Sequence, residues 1–184
     1  MHGPVSAGWL LVALCAVTGG YCLLRMRSAV EEQRRSAGGE ALMGFGMAAM
    51  AVPAVTLTPP RWAWLCYALV FGAAAVRALR AARAGAHHLH HLVGALAMVY
   101  MAAVMAAAPG GGHGAAGLPV VTGALLVYFA GYVVWAGLRL VPAPAAAGTG
   151  IGAGGATGWG DRPELARACR LSMGIGMFAM LLTV

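Results

Sequence analysis

The chain has 184 residues, of which 61% are hydrophobic and 9% charged, with a formal net charge of +7 at pH 7. A water-soluble domain of this length carries far more charge, so this composition excludes an ordinary soluble globule and makes lipid the expected solvent. Every basic residue is arginine, set between long apolar runs, and the positive balance therefore reports membrane orientation rather than nucleic-acid binding.

Six apolar runs are candidates to span a bilayer core, which takes about 20 mostly apolar helical residues. They cover 7–24, 41–57, 62–76, 92–108, 118–138 and 163–184, the shorter ones borrowing flanking residues. The first has no basic residue before it and no small-x-small cleavage site before the arginines, so it reads as a helix and not as a signal peptide. The polar stretch 25–40 extends the helices on either side. Thr58-Pro59-Pro60 makes a tight outer turn, because consecutive prolines cannot continue a helix. Residues 109–117 form a glycine-rich outer loop that carries His113. Residues 141–160 are Ala, Gly and Pro with almost no charge, the composition of a flexible inner linker. Asp161, Pro163 and Glu164 then give a helix start: a side-chain cap followed by an acidic first turn. A helix from there to the end is about 33 Å long, and Arg167 and Arg170 can snorkel to the inner interface.

Arginines crowd the odd connections. Arg25, Arg27, Arg34 and Arg35 follow the first run, Arg77, Arg80 and Arg83 the third, and Arg139, Arg162, Arg167 and Arg170 flank the fifth link, whereas the even links hold only Arg61. Basic loops stay in the cytoplasm, which puts both termini outside. Trp9, Trp62, Trp64 and Trp135 lie near the expected helix ends as aromatic anchors. The four cysteines, Cys15, Cys22, Cys66 and Cys169, lack CxxC spacing and read as small core residues, with Cys22 and Cys169 towards the cytoplasmic side as a minor ligand option.

Methionine carries the most information. Nine of 11 lie in the second, fourth and sixth runs, which align without gaps from Glu40, His91 and Arg170. Met47, Met98 and Met177 share one column, and Met50, Met101 and Met180 another. Met43 and Met173 share a third, in which the fourth run has Gly94. Repetition of this kind implies three units, each a helix going in and a methionine helix coming out. We expect an all-α membrane protein of about six transmembrane helices in one domain, 1–184. Its repeat-like units are 1–58, 59–108 and 118–184, in a pseudo-threefold bundle with the even helices inside. Sites in repeat-built membrane proteins tend to lie where the repeats meet.

Positions i, i+4 and i+7 fall on one side of a helix, so Met43, Met47 and Met50 make a stripe, as do Met173, Met177 and Met180. Met98, Met101 and Met105 follow the i, i+3, i+7 variant. Glycines at 44, 46, 174 and 176 allow close helix approach beside the stripes. Converging stripes would stack two layers of three thioethers about 4.5 Å apart. Thioether sulfur is soft, neutral and never has to lose a proton, a donor set that selects Cu(I) over hard cations. Weak, repeated sites also suit an ion that must leave again. The competing reading is packing: methionine is a flexible apolar filler, and Met-Gly helices fit together well.

Polar groups gather at both ends. His87, His88, His90 and His91 precede the fourth run on the inner side, and His87 and His91 stand four apart, able to share a metal on a helix. An interfacial histidine run in contact with water and headgroups accounts for them equally well. Glu40, His91 and Arg170 occupy one alignment column and form a candidate polar ring, gate or exit site beneath the methionines, with structural pairing the stronger reading for Arg170. His2 and His113 are candidate outer-mouth ligands.

The opening Met-His-Gly-Pro, the M-G-x-G-M-x-x-M runs and the His-His-Leu-His-His start resemble a bacterial membrane-protein family catalogued as a domain of unknown function, a likeness over nearly the whole chain that implies an integral membrane protein. The M-x-x-x-M spacing at Met43/Met47 and Met173/Met177 resembles the pore helix of eukaryotic Ctr-type copper transporters, in which threefold-related methionines coordinate Cu(I). This chain differs in having no methionine-rich outer tail, a glycine in one column and two helices per unit instead of three.

The expected function is membrane handling of Cu(I), as a channel, carrier or delivery protein of the cell inner membrane. Cu(I) is the expected bound ion, and the expected partners are the bilayer, a copper chaperone or cuproprotein, and further copies of the chain. The alternative is a scaffold or lipid-binding helical module without metal. A haem subunit would need axial histidines at midplane depth, and there are none. Hydrolytic and transfer chemistry lack their motifs: no Ser-His-Asp set, HExxH or phosphate loop is present, so no enzyme is expected.

Overall fold

The computed structural model describes residues 3–28, 31–53, 56, 59–82, 89–107, 117–140 and 163–183. These contain six helices and no strand: α1 (Gly3–Arg25), α2 (Glu31–Met50), α3 (Arg61–Ala82), α4 (Leu89–Ala107), α5 (Pro119–Leu138) and α6 (Pro163–Leu181). Proline sets several boundaries. It opens α5 and α6, where its missing N–H removes no helical bond, and Pro59-Pro60 directly precede α3. α2 stops three residues before Pro53, as expected when the residue before a proline is driven out of the helical region. At the other end α2 begins at Glu31, so most of the polar stretch 25–40 is helical and belongs to the second helix.

Each odd helix packs most extensively on the even helix that follows it: α1 on α2, α3 on α4, α5 on α6. The first two pairs are antiparallel. A Cβ at Gly8 of α1 would lie 3.4 Å from the Ala51 carbonyl just beyond the end of α2, and Arg61 Nε at the start of α3 donates to the Ala106 carbonyl near the end of α4 at 3.0 Å. Between pairs, α6 contacts α1 and α2, and α2 also contacts α4. α2 is therefore the element that all three pairs share. Polar and aromatic links tie α5 to α4, with Tyr100 Oη 2.7 Å from Thr122 Oγ1 and His90 stacked on Tyr132 at 3.7 Å.

The surface is apolar in the manner of a lipid-facing protein. Leu10, Val17, Leu69, Val120 and Val127 are each more than 70% exposed, whereas the buried residues include Arg25, Ser28, Thr18 and Glu40. Water would penalise that inversion, and hydrocarbon removes the penalty. Four helices, α1, α3, α4 and α5, are long and apolar enough to cross a membrane. α2 and α6 have helical length but carry Glu31, Glu32, Arg34, Arg35 and Glu40 in one case and Glu164, Arg167 and Arg170 in the other. Trp64 departs from the anchor role expected of it. It is buried, while Trp9, Trp62 and Trp135 are exposed.

Candidate functional site

All nine methionines of α2, α4 and α6 are buried, and all belong to one continuous apolar core. The column Met47, Met98 and Met177 is the most enclosed, none of the three being more than 1% exposed. The core is completed by Cys15, Trp64, Phe71, Phe129 and small residues such as Ala48, Ala97 and Ala102.

Two contacts show how the stripes meet. A Cβ on Gly94 would stand 2.9 Å from the sulfur of Met43, too close for any real side chain, so the glycine in the methionine column is the hollow that receives the opposing thioether. Met43 and Gly94 occupy the same alignment column, and α2 and α4 therefore meet there in register. On the other flank of α2, a Cβ at Gly176 of α6 would lie 3.7 Å from the sulfur of Met47 and 3.4 Å from the thiol of Cys15. Cys15 thus borders the methionine core from α1, a sulfur donor that composition alone reads as a small filler. Gly44 has a different task. A Cβ there would lie 2.9 Å from the Cα of Gly19, so α1 and α2 cross backbone against backbone.

Below the methionines is a charged floor. Glu40 is three residues before Met43 and seven before Met47, about 4.5 and 10 Å along the helix axis. Its Oε2 accepts from Nη1 of Arg25 and from the Cys22 thiol at 3.7 Å, and its Oε1 accepts from Nε of Arg170 at 2.8 Å. Arg25 and Glu40 are fully buried, and Arg170 is partly exposed. Glu40 also interacts electrostatically with His91. The column Glu40–His91–Arg170 is thereby brought to one place, joined by Arg25, which sequence reasoning used only to orient the first loop. The missed signal was charge balance, because a carboxylate with ten apolar or small residues after it in the helix requires a buried cation. Cys22 and Cys169, from α1 and α6, lie within hydrogen-bonding reach of each other beside this cluster.

The other candidates part company. His90 turns to α5, with Nδ1 3.3 Å from Tyr128 Oη and its ring on Tyr132, and it still interacts electrostatically with His91, Arg170 and Glu40. His2, His87, His88 and His113 lie outside the described residues, as do the linker 141–160 and the Asp161 cap. Among the described residues no three His, Cys, Asp or Glu side chains come together in a way that could hold a metal ion. Any metal in the core would therefore be held chiefly by thioethers. Two buried polar atoms on α3, Trp64 Nε1 and Tyr67 Oη, have no hydrogen-bond partner among the described residues, and a Cβ on Gly46 would stand 2.7 Å from that Tyr67 oxygen.

A family model described as "Domain of unknown function (DUF5134)" matches residues 32–184. The chain belongs to this family. The DUF5134 match takes in nearly all of α2 and the whole of α3 to α6, and so all nine core methionines, Glu40, His91, Cys169 and Arg170. Cys15, Cys22 and Arg25 are contributed by α1, ahead of the matched stretch, as is the Met-His-Gly-Pro opening. No curated protein and no solved structure matches the chain.

Proposed function

We propose that this DUF5134 protein is a membrane Cu(I)-handling protein, a channel, carrier or delivery protein, that holds the ion through methionine sulfurs of α2, α4 and α6. The observation that carries the reading is the burial of all nine methionines in one continuous core. Nine neutral soft donors in an enclosed space suit a monovalent soft cation, because none has to ionise and hard cations find no oxygen ligands there. The in-register meeting of Met43 with Gly94, and of Glu40 with Arg170, supports a pseudo-threefold arrangement of two-helix units. The arginine distribution supports six spans in the cell inner membrane with both termini outside. α2 and α6 then cross as inner helices, with Glu40 buried and paired to Arg25 and Arg170, and the other charged residues near one end of each helix. A copper chaperone or cuproprotein is the partner such a role calls for, and self-association would add further inner helices.

Copper bound per purified chain, measured under reducing conditions before and after changing Met47, Met98 and Met177 together to Leu, tests the reading. The copper bound per chain should fall by the share that the methionine core holds. Equal binding in both proteins would overturn it.

The interlocking of Met43 with Gly94 and the crossing of Gly44 with Gly19 favour a second reading, a helical scaffold or lipid-binding module in which methionine is filler. That reading requires the triple Leu protein to keep every property of the parent.

A further inference from the structure

The charged floor contains an imbalance. Arg25 and Arg170 supply two positive charges and Glu40 one negative, so the trio carries a net charge of +1. Arg25 is fully buried, yet its Nε and Nη2 have no hydrogen-bond partner among the described residues. A buried guanidinium with only one of its nitrogens paired is costly, and one further negative charge beside it would relieve that cost. Cys22, also fully buried, donates its thiol to Glu40 Oε2 at 3.7 Å, and Cys169 directly precedes Arg170, which bonds the other oxygen of the same carboxylate, so α1 and α6 bring the two thiols together at this cluster, in the field of Glu40 as well as of Arg25. His91 also interacts electrostatically with Glu40, and any proton it holds adds to the positive side of this balance.

We propose that Cys22 and Cys169 form a two-coordinate site for a soft monovalent cation, Cu(I) or Ag(I), at the inner end of the methionine core. Loading breaks two S–H bonds, forms two S–metal bonds and sends two protons to water, with no change of oxidation state. The bis-thiolate complex carries a charge of −1, which brings the cluster from +1 to zero and offers the orphaned Arg25 N–H groups an anion. A divalent ion on the same two thiolates would leave the cluster at +1. Zinc would in addition need four ligands, which the described His, Cys, Asp and Glu residues do not assemble. Thiolates bind Cu(I) more firmly than thioethers, so an ion descending the methionine core would come to rest here. Only that last step rests on the proposed function, because the dithiol site stands or falls by itself.

The test is competition for Cu(I) against a chromophoric chelator, using the full chain in detergent under anaerobic reducing conditions. It compares the wild type, C169S, C22S/C169S, the Met47/Met98/Met177→Leu triple variant, and C66S as an exposed control. Affinity for the tightest ion should weaken by more than about tenfold in C169S and C22S/C169S, and stay unchanged in C66S and the triple variant. The near-ultraviolet absorption of Cu(I) thiolate should vanish in the two cysteine variants. X-ray absorption of the wild type loaded with one equivalent should report two sulfur neighbours, a reading that needs no variant to fold. Equal affinity in wild type and C169S, or three or more sulfur neighbours around the first ion, overturns the dithiol site. Loss of tight binding in the triple variant alone sinks the dithiol site and keeps the core reading; loss in the cysteine variants alone upholds the dithiol site, and the core reading is then decided separately by the further ions bound per chain; no binding by wild type ends both.

Discussion

Seven residues of α2 separate two interiors of opposite character. At Glu40 the helices are held by charge, with each carboxylate oxygen aimed at a different arginine and a thiol beside them. At Met47 they are held by shape, with sulfur and small residues filling the space between α1, α2 and α6. The charged floor is directional and has few acceptable substitutes. The methionine core is adaptable, since an unbranched thioether can shift to fill a gap. One bundle thus has a rigid, charged end and a compliant centre.

The sharpest way to break this contrast is to remove one partner from the floor. Glu40→Leu should leave two arginines without their carboxylate and cost about 3–5 kcal/mol, read from detergent unfolding of the purified protein. Adding Arg25→Met to the same chain should recover much of that loss. A single-variant cost below about 1 kcal/mol would mean that the floor is wetter than its burial implies.

Next come the glycines, which compare backbone contact with side-chain contact. Gly44→Ala pushes a methyl group into the Gly19 backbone and should cost about 1–3 kcal/mol, while Gly94→Ala meets only the movable end of Met43 and should fall at or below the low end of that range. The reverse order would show that the core is the stiffer region. Smaller again, Met47→Leu, Met98→Leu or Met177→Leu should each cost less than about 1.5 kcal/mol by the same unfolding measurement, even where Cu(I) binding is lost. The smallest effect belongs to Tyr67→Phe. It deletes a buried hydroxyl with no partner among the described residues and should be neutral or stabilising by about 1 kcal/mol. A clear destabilisation there would reveal a partner for the hydroxyl, such as a bound water.

Much of the fold was legible because hydropathy and period are properties of consecutive residues. Prolines 59, 60, 119 and 163 mark the starts of α3, α5 and α6, and the 3.6-residue repeat puts Met43, Met47 and Met50 on one face whatever that face meets. Glu40, His91 and Arg170 share one column when the even helices are aligned, and in the structure Arg170 bonds Glu40. Other features could not be read this way. Trp64 looks like an anchor from its place near a helix end, but rotation about the helix axis turns it inward. His90 looks like one member of a histidine cluster, yet its ring stacks on Tyr132 and its Nδ1 meets Tyr128 of α5.

By itself, then, the sequence determined an all-helical chain with apolar spans, the helix starts marked by proline and the three methionine stripes, because each depends on residues within a few turns of one another. Only the tertiary structure decided which sulfurs and charges become neighbours. Glu40 and Arg170 are 130 positions apart, and the approach of Cys22 to Glu40 and of Met43 to Gly94 depends on which helices cross and how closely. Helix crossings are set by small residues meeting across space, as Gly19 and Gly44 do, and no local pattern records which of a chain's 28 glycines will meet.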